Sequence, residues 1–401
     1  MIEIPATQGA QPSSGHQAIS ADWSLRPLHV GKMVPPPFAG IESHVDTLLR
    51  AIQPSVDSTL VASELATPSP VSRDPTPYRL LPCRSHGTIA SVALSPSLRG
   101  VVKDEFDSGR SNLLHVHAPN PWGDLAALDS HHDTPVVMTW HSDVVRKPAL
   151  FAMYAGIQQR ALQRVDRIVI FTPKHYESSA QLHAANVEHK LVEISIGIDF
   201  DRLDRTPTRE DVMSSIDDWA RGRPLALTVG RHVPYKGYQH LIRAMAKLRS
   251  DTVLLMIGTG PMGAILRSEV SALGLADRIR FLGEVDQATL VTALRRCDMF
   301  CLPSIERSES FGIASAEAMA FGKPTIVCEL NNGVNYLNQR DVTSLVTPPR
   351  DEAALADAID QLAYDSGLRE RLGAAASPWV RSTFAVETMR DETLALYRSL
   401  F

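Results

Sequence analysis

The chain has 401 residues, 44% of them hydrophobic, enough for more than one packed core at roughly 150 residues per domain. With 40 Lys and Arg against 45 Asp and Glu the formal charge is −5, so no global field points to an anionic membrane, and nucleic acid is excluded as a partner. Cys83, Cys297, Cys301 and Cys328 form no Cys-x-x-Cys pair, which sets aside a zinc or disulfide framework and predicts buried, reduced thiols.

Residues 1–24 are polar, small and poor in periodic apolar positions, and read as a loosely ordered extension. They lack a basic segment followed by an apolar one, and no run of about 18 apolar residues occurs anywhere, so a cytoplasmic location is expected. From Leu25, "LRPLHVGKMVPPPFAGIESHVDTLLRAI" reads as a strand, a Pro/Gly loop and a helix carrying Ile41, Val45, Leu48 and Leu49. Ala39 and Gly40 in that loop allow close approach of a ligand, or make a simple turn. The runs "NLLHVHA", "PVVMTWH", "RIVIFT" and "KLVEISIG" follow as buried strands. His115 and His117 end the first of these, while His141 and Asp143 end the second. Strand-end histidines are more often structural, and no acid at ligand spacing makes a convincing metal site of them. His141 is favoured as a hydrogen-bonding residue for a sugar hydroxyl.

After the polar stretch Arg205 to Arg223 the pattern restarts with "PLALTVGR", "DTVLLMIGTG", "RIRFLGEV", "DMFCLPS", "KPTIVCE" and "TSLVTPP". Two βα arrays in tandem predict an α/β chain of two Rossmann-like domains, with ligands at the carboxyl ends of their strands. The expected divisions are 25–205, 206–380 and a C-terminal helix over 381–401 that packs back on the first domain. Arg231 and Lys236 follow the first strand of the second array, where two cations suit a leaving diphosphate; in isolation such a pair is as well explained by solvated surface charge. Gly258, Gly260 and Gly263 resemble a dinucleotide turn, although no acid stands about 20 residues on, and a tight turn explains them equally. In "SIERSESFGIASAEAMAFGKPTIV" a helix pattern starts after Ser310 to Gly312, which places free N–H groups where an anion can sit. Glu309 precedes that turn and Glu317 lies inside the helix; the alternative is a dipole-favouring acid and a solvated one.

Taken together these segments resemble the retaining, nucleotide-sugar-dependent glycosyltransferases of family 4, of GT-B architecture with two facing Rossmann-like domains. The resemblance runs from Leu25 onward and is most specific in "ESFGIASAEAMAFGKPTIV", supported by "VGRHVPYKG" and "NNGVNYLNQRDVTSLVTPPRD". It implies that Arg231 and Lys236 bind the donor diphosphate, that the Phe311, Gly312 and Ile313 region caps it, and that Gly40, Gly258 and Gly260 line the donor site. It further implies that Glu317 accepts from the ribose, Glu309 holds the transferred sugar and His141 faces it. Two departures are Ala39, where the family has the first of two glycines, and Asp341, where it commonly has a glycine in a turn. By the same resemblance the donor phosphate takes the acceptor proton, and no cofactor or divalent metal is required. The preferred donor is GDP-mannose, with UDP- or dTDP-sugars as alternatives. The acceptor is a glycan or lipid-linked glycan of bacterial surface-polysaccharide synthesis, reached from the inner face of the membrane through a basic face of Arg146, Lys147, Arg160, Arg164 and Arg167, or else that face is merely solvated. An NAD-dependent oxidoreductase or epimerase is the competing enzyme class; a catalytic Tyr-x-x-x-Lys pattern is missing for it. Glu309→Ala and Lys236→Ala are each expected to abolish transfer and spare the fold.

Overall fold

The computed structural model describes residues 24–35, 40–65, 75–89, 92–144 and 148–401. Nearly all of the N-terminal extension, Ala39 of the first loop and the cations Arg146 and Lys147 lie outside the described residues.

The first array builds a sheet from β1 (Pro27–Met33), β2 (Thr59–Glu64) and β3 (Arg79–Arg84). After a hairpin of β4 (Thr88–Ile89) and β5 (Val92–Ala93), it continues with β6 (Leu113–Ala118), β7 (Val136–Trp140), β8 (Arg167–Ile170) and β9 (Leu191–Glu193). Its order is β3-β2-β1-β6-β7-β8-β9, paired in parallel throughout. Strands covered on both faces need apolar residues at consecutive positions, which is why β6 and β7 were legible as continuous runs. β2 and β3 were not: they are mixed in character, and Pro82 is tolerated because β3 is an edge strand.

The second sheet contains β10 (Leu225–Val229), β11 (Val253–Ile257), β12 (Ile279–Gly283), β13 (Met299–Leu302), β14 (Thr325–Cys328) and β15 (Ser344–Thr347). Its order, β12-β11-β10-β13-β14-β15, reverses direction between β10 and β13. In open parallel sheets such a reversal point, at the carboxyl ends of the strands, is where ligands bind. The charged stretch between the arrays is not a bare linker. It holds the helix Glu210–Ala220, whose Ile216 and Ala220 are buried.

A helix over Ser366–Thr383 begins ahead of the expected C-terminal helix over 381–401 and continues through Pro378, which gives up one backbone donor without ending it. The helix Val386–Arg398 then lies on the Gly40–Ile52 helix, and its Met389, Leu394 and Tyr397 are buried with Val45, Leu49, Leu60 and Leu113. At the crossing the Ile198 N–H donates to the Phe384 carbonyl at 2.8 Å and the Val386 N–H to the Ile198 carbonyl at 3.1 Å. Between the sheets another apolar cluster joins Phe171, Ile198 and Phe200 to Phe311, Met319 and Phe384. All four cysteines are free and buried, and among the described residues no helix is long and apolar enough to cross a membrane.

Candidate active site

Lys236 closes a short 3-10 turn, Pro234–Lys236, after β10. A Cβ on Gly230 would lie 2.8 Å from the Tyr238 hydroxyl and 3.4 Å from Lys236 Nζ, so only glycine leaves room for both side chains over the strand end. Gly237, at φ +69°, presses against the loop after β13: its Cβ would meet the Pro303 carbonyl at 2.1 Å, and the Ile305 N–H donates to the Tyr235 carbonyl at 2.8 Å. The two loops are thereby joined, and Lys236 Nζ reaches Glu309 Oε2 at 2.5 Å, with both side chains only 11% exposed. Ser304 Oγ donates to the same oxygen at 2.9 Å. Burial pulls the Lys236 ammonium toward neutrality, but the charge of Glu309, with Tyr238 and Tyr235 beside it, holds its pKa above the ordinary value. Burial pushes the Tyr238 phenol up to about 12.

This pair stands directly before the helix Ile313–Ala320, whose N-cap is Gly312 at φ +86°. Its first N–H groups have no partner within the helix and face the positive end of its dipole, which suits a phosphate. Asn332 holds the turn from the other side, donating from Nδ2 to the Glu309 carbonyl at 2.6 Å. Glu317 is half-buried, and burial raises its pKa to about 7 against the pull of Arg202. Phe311 is buried in the cluster between the sheets, and Ile313 packs at that cluster's margin.

Not every predicted residue joins this constellation. Arg231 is exposed and takes no part in the Lys236–Glu309 ion pair. Gly258 and Gly260 meet protein backbone: their Cβ atoms would fall 2.1 Å from the Gly230 carbonyl oxygen and 2.5 Å from that of His232. Packing of one turn on the other accounts for both glycines without a dinucleotide. Gly40, at the start of the first helix, differs, since nothing among the described residues lies within 4 Å of its Cβ position.

Across from the anion turn, the first sheet presents more imidazoles than local spacing foretold. His29 on β1 is the register partner of His115 on β6, and His44, His141 and His175 complete the group. Phe171 lies 4.9 Å from the His44 ring centroid and 5.2 Å from that of His141, and it packs in the same cluster as Phe311. The site therefore has imidazoles on one wall and the ion pair near the other. Burial lowers the pKa of His29 to about 3, with His44 adding to the effect, lowers His44 itself to about 3, and takes His115, His117 and His141 well below the ordinary value. Burial brings His175 to about 4, opposed by the neighbouring Ser310 backbone. Asp143 has a structural task, accepting from Trp140 Nε1 at 3.2 Å and from the Gln181 N–H at 3.3 Å.

Two histidine trios, His29, His115 and His117, and His44, His117 and His141, each bring one ring nitrogen per residue within 4.8 Å of the others, close enough to consider a metal ion. In the first trio every ring nitrogen already has a hydrogen-bond partner, which fits hydrogen bonding better than coordination. In the second, His44 Nδ1 is buried without a hydrogen-bond partner among the described residues.

Residues 38–202 match the model of Glycosyltransferase Family 4, and residues 213–379 that of Glycosyl transferases group 1. The O-antigen chain mannosyltransferase C of Escherichia coli is 30% identical over 75% of this chain and 77% of its own. A phosphatidyl-myo-inositol mannosyltransferase of Mycobacterium leprae is 31% identical over 92% of this chain and 97% of its own. Among solved structures, Anabaena HepE in complex with UDP and glucose superposes with a TM-score of 0.73 at 18% identity, covering 94% of this chain and 100% of that one.

Proposed function

The chain belongs to glycosyltransferase family 4 and is a glycosyltransferase of GT-B fold, and we propose that it transfers mannose from GDP-mannose, with retention, to a glycan or lipid-linked glycan. The observation that carries this reading is the buried Lys236–Glu309 pair set at the start of the Ile313–Ala320 helix. A donor diphosphate seated on those N–H groups offers Lys236 a second anion, so one Glu309 oxygen is released to accept from a hydroxyl of the transferred sugar. Arg231 approaches the diphosphate from its exposed position, Glu317 accepts from the ribose, and His141 contacts the sugar from the opposite wall. As the sugar–phosphate bond lengthens, negative charge grows on the leaving diphosphate, which the two cations and the helix end stabilise. The phosphate oxygen on the same face takes the acceptor proton, so the new bond forms where the old one broke. With this charge supply no divalent metal is called for.

Mannose is supported by mannosyltransferases among the relatives, the Escherichia coli and Mycobacterium leprae proteins included. A UDP-sugar is the second reading, favoured by the UDP and glucose held in HepE. A lipid-linked acceptor would bring the protein to the cytoplasmic face of the membrane. Incubation with a panel of nucleotide sugars decides the donor: GDP release from GDP-mannose is expected, with stabilisation of about 2.7 kcal/mol at a hundredfold excess over Kd. UDP release alone would overturn the donor assignment, and neither release nor stabilisation from any donor would overturn the site.

A further inference from the structure

The imidazoles of the first sheet are connected end to end. Thr139 Oγ1 lies 2.7 Å from His115 Nε2, and His115 Nδ1 lies 2.5 Å from the Tyr397 hydroxyl. That hydroxyl lies 3.2 Å from His29 Nε2, His29 Nδ1 lies 3.1 Å from His117 Nε2, and His117 Nδ1 lies 3.3 Å from His141 Nε2. Every group in the sequence is buried, and each ring is entered at one nitrogen and left at the other.

We infer that Thr139, His115, Tyr397, His29, His117 and His141 form one polarised hydrogen-bond chain that fixes the tautomer of His141, making Tyr397 a positioning residue for the transfer reaction. This rests on the reading that His141 faces the donor sugar.

Burial keeps these imidazoles neutral, with one proton per ring. A neutral imidazole must then donate at one nitrogen and accept at the other. Tyr397 has a single proton and, among the described residues, two partners, so it donates to one histidine and accepts from the other. The direction of any one bond therefore sets the direction of all. The Thr139 hydroxyl has no other acceptor among the described residues, so it donates to His115 Nε2. It follows that His115, His29, His117 and His141 all carry their proton on Nδ1. His141 Nδ1, the nitrogen left over at the end of the chain, is then an N–H donor. It can hydrogen-bond a sugar oxygen and cannot take a proton from one. The hydrogen bond made by one ring nitrogen decides what the other can do, and here that control extends to Tyr397, on a helix that follows the whole second sheet.

The test is the ring-nitrogen NMR spectrum of the full-length protein labelled with 15N-histidine, near pH 7.5, alone and with the preferred donor. All four chain histidines are expected as Nδ1–H tautomers. A mixture of tautomers among them overturns the inference, as does stoichiometric zinc in the purified protein whose removal shifts these signals. Tyr397→Phe keeps the ring and removes the hydroxyl; His141 is expected to shift toward the Nε2–H form, and kcat to fall by about tenfold with donor KM changed less than twofold. An unchanged His141 tautomer in folded Tyr397→Phe overturns the proposal. If that variant fails to fold, Thr139→Val, which frees the polarity to reverse, is expected to give the same shift, and its absence counts the same way. His141→Ala separates the two layers: wild-type turnover there would remove the site reading and leave the tautomer result standing.

Discussion

Lys236 and Glu309 were both legible as strand-end charges, but not as partners. Their contact depends on β10 lying beside β13, which no local pattern encodes. The pairing changes what substitution should do. Glu309→Ala and Lys236→Ala are each expected to reduce transfer by at least ~100-fold, yet each strands the opposite charge in a largely buried place. We therefore expect each to lose about 3 kcal/mol of stability, whereas the combined Lys236→Met/Glu309→Gln variant loses less than either. Thermal melting of the three variants checks this, and the expectation fails if the double variant is the least stable or if either alanine variant keeps full turnover. Asp341 was recognised as standing where a glycine is usual, and it occupies the left-handed region at φ +60°, which glycine enters without strain. His29 and His44 went unnoticed because nothing beside them in sequence marks them; the register of β1 with β6 brings His29 to His115.

At the level of elements, strands of the second array were readable because burial on both faces leaves continuous apolar runs such as Val253–Ile257. The glycines between strand and helix had two readings, a ligand turn and a tight turn, and Gly258 and Gly260 pack against the loop after β10. Gly258→Ala would place a methyl 2.1 Å from the Gly230 carbonyl oxygen at a residue with φ +121°. It should lower stability by about 2 to 3 kcal/mol and raise donor KM, because the displaced loop carries Lys236. Gly40→Ala is the contrast: with open space around its Cβ position, it should melt within about 0.5 kcal/mol of wild type. Equal melting of the two variants would remove the packing account of Gly258. The charged stretch before β10 misled for a different reason: Val212, Ile216 and Trp219 lie on one helix face, but the acids and arginines around them dominate the composition.

For the whole molecule, a tandem repeat of βα units was enough to foresee two parallel sheets. The helix positions that complete each layer follow from long-range packing and were less accessible. The buried histidines give the molecule a predictable acid sensitivity. Their folded pKa values lie below the unfolded value of about 6.5, so below that pH the unfolded chain binds protons that the native state refuses. Stability is full above pH 6.5 and falls by about 1.4 kcal/mol per pH unit for each such histidine, down to about 3 for His29 and His44. Melting temperature should drop steeply between pH 6.5 and 4.5, and a level profile over that range would contradict the neutral, buried state assigned to the group.

The return of the Val386–Arg398 helix to the Gly40–Ile52 helix has a consequence for assembly. The outer layer of the first sheet contains a segment synthesised only after the entire second sheet. A ribosome-bound chain can thus pair the strands of its first half but cannot seal that half. The two sheets are bound into one cooperative unit by the order of synthesis as much as by the cleft between them, and a chain interrupted before Tyr397 would leave its histidine wall open to water.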